Sequence, residues 1–164
     1  MIAQELYRQR PGLVRALILC DTAAKIGGED MWGNRIAAIE AGGIASIADG
    51  ILERWFSAGY RSNRPNDFTG WGLMLKRTDK AGYLAACNAL RTADLRPFCR
   101  EIRVPTLCIV GEADGSTPVE LVRELADSIT HARFEIVADA GHLPNLEQPK
   151  TISSLIGAFL HSPP

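Results

Sequence analysis

Two polar residues stand where an apolar run gives way to a loop: Asp114 in GEADGSTP and His142 in AGHLPNLEQP. The runs before them, Thr106 to Val110 (TLCIV) and Phe134 to Val137 (FEIV), read as buried strands. A carboxylate that holds the Nδ1 proton of a histidine fixes its tautomer and leaves Nε2 free to act as a base. The separation of 28 residues has room for a loop, a helix, a strand and the next loop. Both side chains should therefore emerge at the carboxyl edge of one parallel sheet, where open α/β sheets bind their ligands. Asp139 is the competing acid and lies nearer in sequence. It sits at the end of the histidine's own strand and could bond only through the local turn, so Asp114 is preferred.

Taken alone, an Asp in such a loop is usually a turn or cap residue, and a His after Gly a surface residue. The order Asp then His on successive strand ends points instead to the orienter and base of a nucleophilic triad, which needs a third member. None of Ser46, Ser57, Ser62, Ser116, Ser128, Ser153 or Ser154 lies in a strand-turn-helix elbow with flanking glycines.

The elements that position the pair follow from patterning. Val14 to Cys20 (VRALILC) is a third, almost continuously apolar strand, and such runs suit parallel strands covered on both faces. Three short strands make a narrow sheet with two edges, and an uncovered apolar edge invites pairing with another chain. Met1 to Arg10 reads as a helix with Ile2, Ala3 and Leu6 on one face. It has no capping residue, as a cut inside a longer element or a frayed first turn would leave.

Between the first two strands, Thr22 to Arg100 offers no convincing strand. Helices are expected over Glu29 to Ala41, Ile44 to Phe56, Phe68 to Leu75 and Ala81 to Leu90, with Arg64, Pro65 and Asn66 as turn residues. An all-helical excursion out of a parallel sheet is a lid. Trp32 and Arg35 lie three apart on one helical face, where an aromatic beside a guanidinium could hold an organic acid by stacking plus a bidentate contact. A surface Arg packed along a core Trp is the plainer alternative. Further on, Thr117 reads as an N-cap with Pro118 first in the helix, Glu120 as reciprocal partner, and Val122, Leu125, Ala126 and Ile129 as the buried stripe. The last helix, from about Pro149, should bury Ile152, Leu155, Ile156 and Phe159, and HSPP should fray.

With 164 residues, 46% of them hydrophobic, and a formal charge of -1, the composition is that of one globular domain with no basic face for nucleic acid. No eighteen-residue apolar stretch and no leader pattern is present, so no membrane partner is expected and the cytoplasm is the default location. Cys20, Cys87, Cys99 and Cys108 form no CxxC pair and read as small hydrophobes. His131, His142 and His161 lack ligand spacing, so no metal is expected.

At the two catalytic loops the sequence resembles the α/β-hydrolase family. More closely, MIAQELYRQRPGLVRALILCDTAAKIG, with GGEDMWGNRIAAIEAGG and LERWFSAGYR, resembles its 3-oxoadipate enol-lactonase branch. In that branch the nucleophile elbow, G-x-S-x-G, lies directly before a segment similar to Met1 to Leu6. The resemblance implies an incomplete α/β-hydrolase fold of three parallel strands plus a helical lid, without the part that bears the elbow. Residues 1–21 and 101–164 would be the core segments and 22–100 the lid covering the site. It implies Asp114 as acid, His142 as base, and Trp32 with Arg35 against a carboxylated lactone or other small ester substrate of aromatic catabolism, with no cofactor. The chain is then expected to be inactive until joined to a serine-bearing part, or to self-associate through its sheet edges. The alternatives are a non-catalytic binding or scaffold protein, or an esterase, dehalogenase or epoxide hydrolase of the same fold.

Overall fold

The computed structural model describes residues 1–161. Of the expected frayed tail, His161 closes the last helix, while Ser162 to Pro164 lie outside the described residues. Three strands, β1 (Leu17–Cys20), β2 (Thr106–Gly111) and β3 (Arg133–Val137), form a parallel sheet in the order β1-β2-β3. Leu17 pairs with Thr106 and Leu107 with Arg133.

β2 is buried along its whole length, which its unbroken apolar run requires. Its alternating side chains serve two cores. Cys108 and Val110 join Leu17, Leu19, Val122 and Leu125 on one face, whereas Leu107 and Ile109 join Val137, Ile152 and Phe159 on the other. Each such buried Leu, Ile or Val contributes about 1.5–3 kcal/mol of transfer free energy.

β1 is shorter than the sequence suggests, because Val14, Arg15 and Ala16 lie outside it. Leu17 N–H donates to Pro105 O, and Pro105, lacking an N–H, ends the ladder there. A single tight turn at Pro11–Leu13 occupies part of the remaining stretch. β3 is not the buried strand its apolar run implies. It is an edge strand, and Ile136 stays 44% exposed.

Helix α1 (Ile2–Gln9) forms where expected but turns its other face inward. Gln4 and Tyr7 are buried, while Ile2 is 89% and Leu6 46% exposed. Polar bonds fix this orientation: the Gln4 amide donates to Ala23 O, and the Tyr7 hydroxyl, whose ring packs against Phe98, accepts Arg103 N–H.

The segment between β1 and β2 is helical: α2 (Glu29–Gly42), α3 (Ala45–Trp55), α4 (Ala58–Asn63), α5 (Pro65–Lys76), α6 (Lys80–Thr92) and α7 (Arg96–Cys99). It has its own apolar cluster around Trp32, Ile39, Leu52, Phe56 and Leu75. Two details depart from the sequence reading. Pro65 is not a turn residue but opens α5, where its missing N–H costs nothing. The short α4 was not anticipated, although Ser57 accepts Tyr60 N–H as a regular cap.

Beyond β2 come α8 (Val119–Ser128), α9 (Pro144–Glu147) and α10 (Pro149–His161). Val122, Leu125, Ala126 and Ile129 are buried as the pattern demands. Among the described residues no helix is long and apolar enough to cross a membrane.

Candidate active site

Asp114 and His142 leave the carboxyl ends of β2 and β3, neighbours in the sheet, and meet above it. His142 Nδ1 lies 2.9 Å from Asp114 Oδ2. The Asp114 side chain is fully buried, whereas the imidazole keeps 22% exposure, leaving one partner enclosed and the other reachable. Oδ1 of Asp114 accepts the N–H groups of Ser116 at 2.7 Å and Thr117 at 3.0 Å, and Oδ2 accepts the Thr117 hydroxyl at 2.7 Å. Burial pushes this carboxyl up, but the hydrogen bond and charge of His142 and the two backbone N–H groups outweigh it and hold it below the ordinary range. An ionised Asp114 keeps the proton on Nδ1 and turns Nε2 into the free base.

Thr117 therefore does not cap α8 as its position suggests. The residue next to the helix is Pro118, and the Thr117 hydroxyl serves the buried carboxylate, also lying 3.3 Å from His142 Nδ1. The hydroxyl donates its proton to a charged acceptor, a strong hydrogen bond, and α8 has no side-chain cap. Asp139 is exposed at a positive φ of 54°, and its bonds run through its backbone to Glu112 and Gln148.

The two loops touch backbone to backbone. A Cβ on Gly111 would lie 2.0 Å from Gly141 O, so the approach of the loops requires glycine. The helical segment between β1 and β2 grips both loops. Trp55 O accepts His142 N–H at 2.8 Å, and Arg54 O accepts Gly115 N–H at 3.1 Å. The Glu147 carboxylate accepts Gly141 N–H, Ser57 N–H and the Ser57 hydroxyl, bridging the histidine loop to the start of α4.

Asp21, at the end of β1, belongs to the same cluster and was not singled out in the sequence. Its Oδ1 accepts Gly111 N–H at 2.9 Å. Ligand-capable atoms of Asp21, Asp114 and His142 lie within 4.8 Å of one another. Nδ1 and Oδ2 are turned toward each other in a hydrogen bond, so the three do not converge on a common point for a cation. The signal that could have found Asp21 is akin to the one that found Asp114: an acid just beyond the carboxyl end of an apolar strand.

Trp32 and Arg35 share a face of α2, with the guanidinium carbon 4.9 Å from the ring centroid. Trp32 is only 5% exposed and its Nε1 donates to Ile26 O at 2.7 Å, which anchors it in the apolar cluster of the helical segment. Arg35 is half-buried. The four cysteines are free thiols, and Cys87, Cys99 and Cys108 are buried.

A parallel sheet carrying an acid and a histidine on consecutive strand ends, under a helical insertion, is the arrangement of an α/β-hydrolase. Residues 1–155 match the model of the alpha/beta hydrolase family, and the chain belongs to that family. It is similar to 3-oxoadipate enol-lactonase 1 of Acinetobacter baylyi, 35% identical over 147 residues that make up 90% of this chain and 55% of that protein. It is also similar to the pimeloyl-[acyl-carrier protein] methyl ester esterase of Methylococcus capsulatus, at 29% identity over 99% of this chain and 67% of the relative. Among solved structures, the enol-lactonase from Burkholderia xenovorans LB400 superimposes with a TM-score of 0.91 at 33% identity, covering 97% of this chain and 61% of that one. The chain thus spans about half the length of the enol-lactonase relatives, 55% and 56%.

Proposed function

We propose that this chain supplies the acid, the base and the helical lid of a serine-type α/β-hydrolase that opens a small carboxylated enol-lactone. The observation that carries the reading is the 2.9 Å contact between His142 Nδ1 and the buried Asp114 carboxylate. The substrate class is taken from the two enol-lactonases of Acinetobacter baylyi and the Burkholderia xenovorans structure.

In this reading Asp114 is the acid and His142 the base. No described Ser, Thr or Cys is hydrogen-bonded to Nε2, so the attacking serine comes from a part beyond these residues. Nε2 of His142 removes the serine proton as its Oγ bonds to the lactone carbonyl carbon, and returns it to the ring oxygen as that C–O bond breaks. Water, deprotonated by the same Nε2, then releases the acyl group. The outer edge of β1 pairs with no strand among the described residues, and α1 presents Ile2 and Leu6 outward beside it, so a nucleophile-bearing part has a surface to join. In the lid, Arg35 would hold the substrate carboxylate, with Trp32 fixing the guanidinium by stacking.

The test is to assay the chain for enol-lactone and nitrophenyl-ester hydrolysis, alone and mixed with a separately produced polypeptide carrying the G-x-S-x-G elbow. No turnover alone, turnover on mixing, and its loss with His142→Ala are expected. Turnover by the isolated chain that His142→Ala abolishes would overturn the assignment of the nucleophile. A mixture indifferent to His142→Ala would overturn the role of the pair. Including a short acyl methyl ester tests a second reading, carboxylic-ester hydrolysis, which the similarity to the methyl ester esterase favours.

A further inference from the structure

Asp21 is an aspartate in an unusual position. It holds the left-handed region at φ 47°, which a non-glycine residue adopts at some cost and which collects at functional sites. Two bonds to β2 keep it there: its N–H donates to Ile109 O at 2.9 Å and its Oδ1 accepts Gly111 N–H at 2.9 Å. The residue is 8% exposed, and a carboxyl oxygen of it lies within 4.8 Å of a carboxyl oxygen of the buried Asp114.

Two buried carboxyl groups this close repel each other when both are charged, so one of them keeps a proton. The donors decide where it sits. Asp114 has the Ser116 and Thr117 N–H groups, the Thr117 hydroxyl and His142 to stabilise a negative charge, whereas Asp21 has Gly111 N–H. We propose that Asp21 is a positioning residue, a carboxylic acid that keeps its proton, directs that O–H at the Asp114 carboxylate as a hydrogen-bond donor, and so fixes the carboxylate that orients His142. For its consequence in turnover the inference rests on the catalytic reading of the Asp114–His142 pair; the proton itself does not.

The surroundings agree. Burial first, and then the negative charge of Asp114 and that of Glu147, push the Asp21 carboxyl up to about 8 against the pull of Gly111 N–H. Cys20, its chain neighbour, has a thiol pushed up to about 11 by burial and by Asp21, so it stays neutral in the same window. His142 is the third titratable group in the cluster. An ionised carboxylate capping Gly111 would need none of this and would titrate low.

The experiment is a carbon-13 NMR titration of the aspartate carboxyl groups in the intact chain, repeated on Asp21→Asn, whose amide donates the same hydrogen bond but cannot ionise. Asp21 is expected to titrate near pH 8, with a matching step in the Asp114 signal that Asp21→Asn removes. Titration of Asp21 in the ordinary carboxylate range, about 4, would overturn the proposal. So would a step near pH 8 in Asp114 that persists in Asp21→Asn. Should that variant fail to fold, the wild-type titration decides alone. Failure of the hydrolase reading would show in the mixing assay and leave this titration unchanged.

Discussion

The backbone N–H of His142 donates to the carbonyl oxygen of Trp55 at 2.8 Å, so the last turn of α3 holds the loop that carries the imidazole. The same helix end accepts Gly115 N–H through Arg54. The end of α3 is therefore part of the frame of the site, and a change in its packing reaches both loops at once.

Glu147 is the side chain on which that frame most depends, because one carboxylate serves Gly141 N–H and both donors of Ser57. Glu147→Ala leaves these donors without a partner and should cost about 1–3 kcal/mol in a denaturation experiment. Amide hydrogen exchange at Gly141 and Ser57 should speed up beyond the global change. Glu147→Gln, which keeps an acceptor, should recover part of the loss. Exchange that rises uniformly across the chain would contradict a local tie.

Thr117→Val tests the hydroxyl that displaced the expected helix cap. It removes a hydrogen bond to an ionised, buried carboxylate while keeping the shape of the side chain. Bonds to charged groups contribute about 1.5–3 kcal/mol, and a loss in that range is expected from the denaturant midpoint. A change near zero would mean that Ser116 and Thr117 N–H and His142 suffice for Asp114.

Gly111→Ala tests the approach of the two loops. The new methyl would meet Gly141 O at 2.0 Å and Ala140 O at 2.6 Å, both backbone atoms that cannot rotate away. Overpacking of this kind costs about 1–3 kcal/mol or more. The histidine loop must shift as well, and the His142 side-chain resonances should move.

The parts legible in the sequence were those set by local pattern. The continuous apolar run of TLCIV marks the central strand, and the separation of 28 positions from Asp114 to His142 matches one turn of the βαβ repeat. What escaped depends on tertiary partners. Nothing local tells that the Thr117 hydroxyl turns from a helix N–H to a carboxylate, or that α1 buries Gln4 and Tyr7 instead of Ile2 and Leu6, since the deciding groups lie at Asp114, Ala23 and Arg103. The same holds for β3, whose apolar run does not say that it lies at an edge. Asp21 follows an apolar strand, as Asp114 does a few residues further on, but its importance comes from lying near a residue 93 positions away.

Asp114 and Asp21 should shape the pH dependence of stability in opposite senses. The Asp114 carboxyl is lowered in the fold, so below about 4 the unfolded chain binds the extra proton first and stability is lost as pH falls. The Asp21 carboxyl is raised to about 8, so as pH rises toward that value the unfolded chain has already given up a proton that the folded chain retains. Stability must then decline with rising pH across that window, by on the order of 1 kcal/mol per unit for one full proton. Asp21→Asn cannot ionise in either state and should flatten this decline, so its midpoint should gain on that of the wild type as the buffer moves from mildly acidic to mildly basic. Asp114→Asn should instead blunt the acid limb. Denaturant midpoints measured for the three proteins across the range check both signs, and wild-type and Asp21→Asn curves that run parallel would mean that Asp21 is already ionised at neutral pH.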